Sequence, residues 1–439
     1  MDMENLYQLF CELNSKFQIT HPEMSCVTTD SRNCPEASLF FALKGENFNG
    51  NAYAAKALEQ GAAYAVIDEP AYALNNRFIL VDNTLKALQQ LAREHRIALG
   101  KPIIGITGTN GKTTTKELTA AVLSEKYNVH YTKGNLNNHI GVPLTLLQMT
   151  DKHDIGIIEM GASHPGDIKE LVEIACPNAG IITNVGKAHL QGFGSFEGVM
   201  KTKGELYDYI RMHQGFIFRN IDNPYLREMA GDLPVHTYSL LDNAAEVSGK
   251  VLDCTGFLSM EMHVGGQIFT LQTHLVGAYN AENVLAAACI GNSFGVAPEE
   301  IKRAIEGYVP QNNRSMLVKS ADNTIVVDAY NANPTSMKAA IENFAQMHMN
   351  NQTLILGDML ELGEQSEEEH KKIVELLVQY HFTDVYLVGK EFAATASSFC
   401  HFSDVNALAQ YLKEHPLKER YVLLKGSRGI KLEQLQDYL

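Results

Sequence analysis

Residues Ile103 to Lys116 read IIGITGTNGKTTTK: a β-branched apolar run, a glycine-rich turn ending in Gly-Lys-Thr, then residues of good helix propensity. That order suits a loop that holds a nucleoside triphosphate. A buried strand delivers the chain to a tight turn, where the missing Cβ atoms of Gly108 and Gly111 let successive backbone N–H groups converge on phosphate oxygens. The helix that follows carries Leu118, Ala121 and Val122 as its apolar stripe and aims its positive N-terminal end at the same anion. Lys112 then reaches the β- and γ-phosphates, and Thr113 offers its hydroxyl to Mg²⁺. Ile106 stands where G-x-x-x-x-G-K-[ST] has its first glycine, so TGTNGKT is a shorter variant of that loop.

Polar residues at the ends of apolar runs form a second tier. Glu159, in IGIIEMGAS, follows directly on a buried run, where a carboxylate can hold a hard cation together with Thr113 and phosphate oxygens; a solvated glutamate is the competing reading. His189, in TNVGKAHLQGFGS, reads as a ligand or as an ordinary surface histidine. Asp328, in TIVVDAYNANP, suits a ribose hydroxyl or a turn cap, and local sequence leaves both open.

These residues need a scaffold. A chain of 439 residues exceeds what one hydrophobic core usually organises, so about three domains are expected. Residues 1–98 form a small α/β block with strands at Leu39–Ala42, Ala65–Ile67 and Phe78–Val81 and helices at Ala52–Gln60 and Leu85–Leu99. Residues 99–310 alternate strands, among them Ile155–Ile158 and Gly180–Thr183, with helical segments, as a doubly wound, mainly parallel sheet does. Residues 311–439 repeat the rhythm with strands at Thr324–Val327, Thr353–Leu356, Asp384–Val388 and Arg420–Leu424. A capping box is expected at Ser366 and Glu369, within an acidic, solvated first turn at Glu367–Glu369.

Composition narrows the class. Apolar residues at 45% and charged residues at 20% are ordinary for a globular chain. The net charge of -15, without a compensating Lys/Arg run, excludes a nucleic-acid backbone as main partner. The seven cysteines are scattered and never form C-x-x-C, which suits reduced thiols. The N-terminus lacks a signal-peptide pattern and no stretch has the length of a membrane span, so a cytoplasmic protein, a monomer by default, is expected.

In order and spacing, TGTNGKT, EMGA, NVGKAH, GAYNAENVLAA, DAYNANPTSM, GDMLELG and KGSRG resemble the Mur ligase family over essentially the whole chain, from Thr28 to Gly429. GDMLELG and DAYNANP resemble the member that joins D-alanyl-D-alanine to UDP-N-acetylmuramoyl-tripeptide in peptidoglycan precursor synthesis. The resemblance implies an N-terminal domain for the uridine nucleotide, a central phosphate-loop ATPase and a Rossmann-like C-terminal domain. It implies an ADP-forming amide ligase that works through an acyl phosphate with ATP and Mg²⁺, Mn²⁺ being an alternative.

The resemblance also implies residue roles. ATP contacts run through Gly108, Thr109, Asn110, Gly111, Lys112, Thr113 and Thr114, with Asn280 and Asn283 near the adenine, Arg314 on the nucleotide and Asp328 on the ribose. The metal lies near Thr113, Glu159 and His189, joined by Lys203 once CO₂ has carbamylated it; Lys112, His189 and Lys203 are the catalytic candidates. Thr29, Asp30, Ser31, Arg32, Lys44 and Gly45 face the uridine nucleotide. Asn135, Asn137 and Asn138, with Tyr330, Asn331 and Asn333, face the remaining substrate. The chain departs from the family pattern at Asn312-Asn313, where Pro-Gly is usual, and at Asn49-Gly50-Asn51, where Asp-Gly-His is usual. The sister that adds the third-position amino acid carries Asp-Asn-Pro-Arg in its last domain. Here Asp222-Asn223-Pro224 lies in the central block and continues with Tyr225. A nucleotide-dependent switch is the rival from another class.

Overall fold

A computed structural model describes residues 2–22, 24–311, 314–395 and 397–439. The departure at Asn312-Asn313 lies outside the described residues. The main sheets have four, nine and six strands, and they follow one another along the chain.

In the central sheet Ile103–Thr107 lies between Ile155–Glu159 and Ala179–Ile182. Val129–Tyr131 flanks the first of these, and Phe216–Asn220 and Val235–Ser239 continue beyond the second, all parallel. Ile103–Thr107 and Ile155–Glu159 are buried at every position, as strands covered by helices on both faces must be. The strand order reverses at Ile103–Thr107, so a crevice opens beyond its C-terminal end.

The sheet is not doubly wound throughout. Val247–Asp253, Phe257–Val264 and Gln267–Val276 make an antiparallel meander at one edge. Its second turn is Gly265-Gly266, both at positive φ. The signal for it was a period of two, seen in the alternate burial of Leu271, Thr273 and Leu275.

The N-terminal sheet pairs Val27–Thr28, Leu39–Phe41, Tyr64–Ile67 and Phe78–Leu80 in parallel. Helix Met3–Thr20, absent from the sequence reading, buries Leu6, Phe10, Asn14 and Phe17 at helical spacing. The Asp2 carboxylate caps it by accepting the Asn5 N–H at 2.9 Å. One apolar core runs from Leu6 and Phe10 through Leu88 and Leu91 to Leu146, Ile158 and Ile168, so the N-terminal and central sheets share it.

In the C-terminal sheet Thr324–Asp328, Tyr421–Lys425, Gln352–Gly357, Val385–Val388 and Cys400–Phe402 run parallel, with Met316–Lys319 antiparallel at the edge. The capping box expected at Ser366 does not form. Ser366 is the first residue of helix Ser366–Gln379, Gln365 is the N-cap, and the Ser366 hydroxyl goes to Glu391 and to His370 Nδ1. The acidic turn is only partly solvated, because Glu369 is buried and its Oε1 lies 2.8 Å from Lys187 Nζ of the central unit. Among the described residues no helix is long and apolar enough to cross a membrane, and the seven cysteines are free thiols.

Candidate active site

The C-terminal ends of the central strands and of Thr324–Asp328 and Tyr421–Lys425 line one cleft of ≈ 1010 Å³. The phosphate loop forms one wall. Gly108 sits at φ +144°, and a Cβ there would lie 2.0 Å from Thr183 Oγ1; at Gly111, φ +79°, it would lie 2.4 Å from Asn283 Oδ1. Glycine is therefore required at both positions by conformation and by space. The end of the neighbouring strand pins the loop: Thr109 N–H donates to Asn184 O at 3.0 Å, Asn110 N–H to Asn184 Oδ1 at 2.9 Å, and Thr183 Oγ1 to Asn110 O at 2.6 Å.

Lys112 Nζ folds back over this loop and donates to Gly108 O at 2.8 Å and Thr109 O at 3.1 Å. Burial lowers its pKa to about 8, against the pull of Glu159 and with a small push from Arg314. Thr113 is buried and donates to Glu159 Oε1 at 3.2 Å, while Thr114 lines the cleft.

Glu159 is placed by register, since Ile106 and Glu159 are partners across adjacent strands. It is 1% exposed, which removes the solvated reading. Oε1 also accepts from Asn137 Nδ2 at 2.8 Å, and Oε2 has no hydrogen-bond partner. Two buried oxygens, one of them short of a donor, beside a hydroxyl at the mouth of a phosphate loop, suit a hard divalent cation. His189 lines the same cleft, with Nδ1 against the Glu361 carboxylate.

Lys203 does not line the cleft. It is 2% exposed, on helix Phe196–Met212, and its Nζ lies 5.6 Å from the Phe193 ring centroid. Burial, reinforced by the charge of Lys112, holds its pKa well below the usual lysine range, against the weaker pull of Asp167 and Glu205.

The opposite wall gathers Arg314, Asp328, Tyr330, Asn331 and Asn333. The Arg314 guanidinium stacks 3.6 Å from the Tyr330 ring centroid. Asp328 is not a cap of its own turn: Oδ2 pairs with buried Lys425 at 2.6 Å, its register partner on the next strand, and Oδ1 accepts the Ser315 N–H at 3.4 Å. Asn280 and Asn283 line the cleft, yet their amides are engaged internally. Asn283 Nδ2 donates to Asn280 Oδ1 at 2.9 Å, and Asn283 Oδ1 accepts from Thr115 at 3.1 Å. Asn135 also lines the cleft; Asn138 Oδ1 accepts the Ile140 and Gly141 N–H groups.

The residues expected to meet a uridine nucleotide lie outside this cleft, in the N-terminal unit. Thr29, Asp30, Ser31 and Arg32 form the turn after Val27–Thr28. There the Arg32 side chain, bonded to the Asp30 carboxylate at 2.9 Å, pulls its pKa down to about 2. Lys44, which with Gly45 makes up a two-residue strand, reaches Asp68 at 2.8 Å and Glu69 at 2.9 Å. Asn51, where the family has histidine, is buried, donating to Asp68 Oδ1 at 2.8 Å and accepting the Asp68 N–H at 3.0 Å.

The sequence reading missed Asn184, Lys116, Glu361 and Lys425. Three of these stood in quoted motifs without being singled out: Asn184 in TNVGKAH, Glu361 in GDMLELG and Lys425 in KGSRG.

Sequence models of the Mur ligase family match the chain consecutively: the Mur ligase family catalytic domain over residues 23–96, the middle domain over 106–291 and the glutamate ligase domain over 313–428. The UDP-N-acetylmuramoyl-tripeptide--D-alanyl-D-alanine ligase of Bacillus subtilis is 37% identical over 429 residues, covering 93% of this chain and 92% of the relative. The crystal structure of MurF from Acinetobacter baumannii aligns with TM-score 0.85 at 28% identity, over 94% of this chain and 92% of that one. MurF of Thermotoga maritima in complex with ADP aligns with TM-score 0.85 at 27% identity, over 94% and 96% of the two chains.

Proposed function

Since the chain belongs to the Mur ligase family, we propose that it joins the amine of D-alanyl-D-alanine to the terminal carboxylate of UDP-N-acetylmuramoyl-tripeptide, converting ATP to ADP and phosphate. The observation that carries the reading is the shared cleft. It sets the phosphate loop, with Lys112, Thr113 and Glu159, against Arg314, Asp328 and Tyr330 of the C-terminal unit, in a chain aligned along nearly its whole length with ligases of that name.

A carboxylate and the γ-phosphate repel each other, so catalysis begins with charge compensation. Loop N–H groups and Lys112 hold the phosphates, and Lys112 must leave its two loop carbonyls to do so. Thr113 and Glu159, with His189 beside them, would hold a Mg²⁺ or Mn²⁺ ion, which would supply neutralisation of phosphate charge. The substrate carboxylate oxygen attacks the γ-phosphorus, the bond to the bridging oxygen breaks, and ADP leaves. The amine of D-alanyl-D-alanine, once deprotonated, attacks the acyl carbon of the resulting acyl phosphate, and phosphate departs from the tetrahedral intermediate. Arg314 and Asp328 face this cleft from the C-terminal unit and help exclude water, which would hydrolyse the acyl phosphate.

We assign Lys203 as the site of carbamylation. Only a neutral amine adds CO₂, losing a proton as the C–N bond forms, and the burial of Lys203 favours that neutral form. The Thr29–Arg32 turn and Lys44 are assigned to the uridine nucleotide. Use of ATP and a UDP-linked precursor supports a cytoplasmic location.

The sister activity is disfavoured by Asp222-Asn223-Pro224. Asn223 caps helix Pro224–Ala230, accepting the Tyr225 and Leu226 N–H groups, and no arginine follows the proline. The test is product mass after incubation with ATP, D-alanyl-D-alanine, free amino acids, UDP-N-acetylmuramoyl-dipeptide and UDP-N-acetylmuramoyl-tripeptides carrying lysine or diaminopimelate. A D,D-dipeptide adduct, with ADP formed only when both acceptor and donor are present, is expected. A single amino-acid adduct on a UDP-dipeptide would replace the assignment with its sister, and uncoupled turnover would favour a switch.

A further inference from the structure

Lys116 lies one helical turn after Lys112, and its side chain is wholly buried. Its Nζ has no hydrogen-bond partner; it sits 3.6 Å from Glu159 Oε2, 3.7 Å from Glu117 Oε1 and 5.8 Å from the Tyr131 ring centroid. Burying an ammonium with no hydrogen bond is costly unless an opposite charge compensates it, and methionine would fill similar volume without that cost. Glu117 is only partly buried and accepts the Tyr308 hydroxyl at 2.6 Å. Glu159 is the deeper and more dependent partner: its Oε2 makes no hydrogen bond, and Lys116 is its ion pair.

We infer that Lys116 is a positioning residue. It is the counter-charge that holds the Glu159 carboxylate in orientation, with Oε1 toward Thr113, and it competes with the divalent cation for that carboxylate. The second half rests on Thr113 and Glu159 being the cation site. Without nucleotide the buried pair is electrically closed and the cation binds weakly. With a triphosphate in the loop, phosphate oxygens complete the cation's shell and outweigh the repulsion from Lys116. Cation retention is thereby tied to the presence of the triphosphate.

The test uses the full chain as wild type, Lys116→Met, Glu159→Gln and the double variant, reading Mn²⁺ binding by electron paramagnetic resonance without nucleotide and, for wild type, also with ATP, and Tm without metal. Lys116→Met is expected to bind Mn²⁺ roughly three- to tenfold more tightly than wild type, because a competing charge is gone. Its metal-free Tm should fall by roughly 5 °C or more, and the double variant should recover most of that loss, because no buried charge is then left unpaired. Unchanged or weaker Mn²⁺ binding by folded Lys116→Met overturns the competition, and additive Tm changes overturn the counter-charge role. If Lys116→Met does not fold, a folded double variant still supports the counter-charge role, and failure of both assigns Lys116 to packing. Absence of Mn²⁺ binding by wild type, even with ATP, removes the cation site and the competition with it, leaving the Tm cycle to decide the rest.

Discussion

Two lysines separated along the chain by alternating helices and short strands illustrate how much environment decides what a side chain does. Lys112 Nζ hydrogen-bonds to carbonyls of its own loop, so Lys112→Ala should leave Tm within a degree or two while kcat falls by roughly 10² to 10³ or more. Steady-state kinetics beside thermal unfolding checks this. For Lys203 the expected signature is chemical: loss of activity in CO₂-depleted buffer, and an inactive Lys203→Ala partly rescued by formate or acetate, which can occupy the vacated volume and return oxygens to the site. Full activity of Lys203→Ala would end that assignment. Lys112 and Thr113 were legible because loop, strand and helix lie within a few residues of each other. Lys116 was not, because a charged residue in a helix reads locally as solvated; Lys425 stood in KGSRG, but its pairing with Asp328 left no local mark. Their partners are fixed by sheet registers instead: Glu159 sits opposite Ile106, and Asp328 lies 97 positions before Lys425.

At the scale of elements, His130 on strand Val129–Tyr131 gives the clearest pH expectation. It is buried against helix Gly141–Leu147, with Nε2 2.7 Å from Thr145 O. Burial lowers its pKa to about 4, with further lowering by His153 and Lys133 and opposition from the Thr145 carbonyl. The unfolded chain, near 6.5, binds the proton first on acidification, so stability is lost as pH falls from about 6.5 toward 4. By pH 5 this contribution amounts to about 2 kcal/mol. His130→Gln should therefore show a loss of stability between pH 7.5 and pH 5 smaller by up to that amount, measured by denaturant unfolding at both values. Strand positions such as Ile155–Glu159 and Gln352–Gly357 were readable because they are short apolar runs bounded by polar turns. The meander at Val247–Val276 was not, because its inward positions mix Thr and Ser with Leu and Met, blurring the two-residue period. The expected cap at Ser366 failed for a related reason: its hydroxyl is claimed by Glu391, 25 positions away.

Across the whole molecule, both junctions between units share apolar core, Leu190, Phe193, Val199 and Val276 of the central unit clustering with Met337 and Phe344 of the C-terminal one. The C-terminal unit meets the phosphate loop through polar contacts, with Asn333 Nδ2 donating to Asn110 Oδ1 at 2.8 Å and Lys187 pairing with Glu369 at 2.8 Å. Asn333 also caps helix Pro334–Gln346 through Oδ1, which accepts the Ser336 N–H at 2.9 Å. Asn333→Asp keeps the cap and removes the donor. Tm should hold within about 2 °C while kcat/KM falls about fivefold, the worth of one hydrogen bond, or further if charge repulsion adds. A matching fall in Tm would mean that the residue serves only its helix. At the other junction the apolar core runs unbroken from helix Met3–Thr20 into the central sheet. Closely packed interiors yield little to load. The turn at Thr29–Arg32 and the phosphate loop are therefore the two marks of a fixed gauge. If the uridine end of the precursor is held at one mark, the peptide must be long enough to bring its carboxylate to the other, so the protein selects its substrate by length as well as by chemistry.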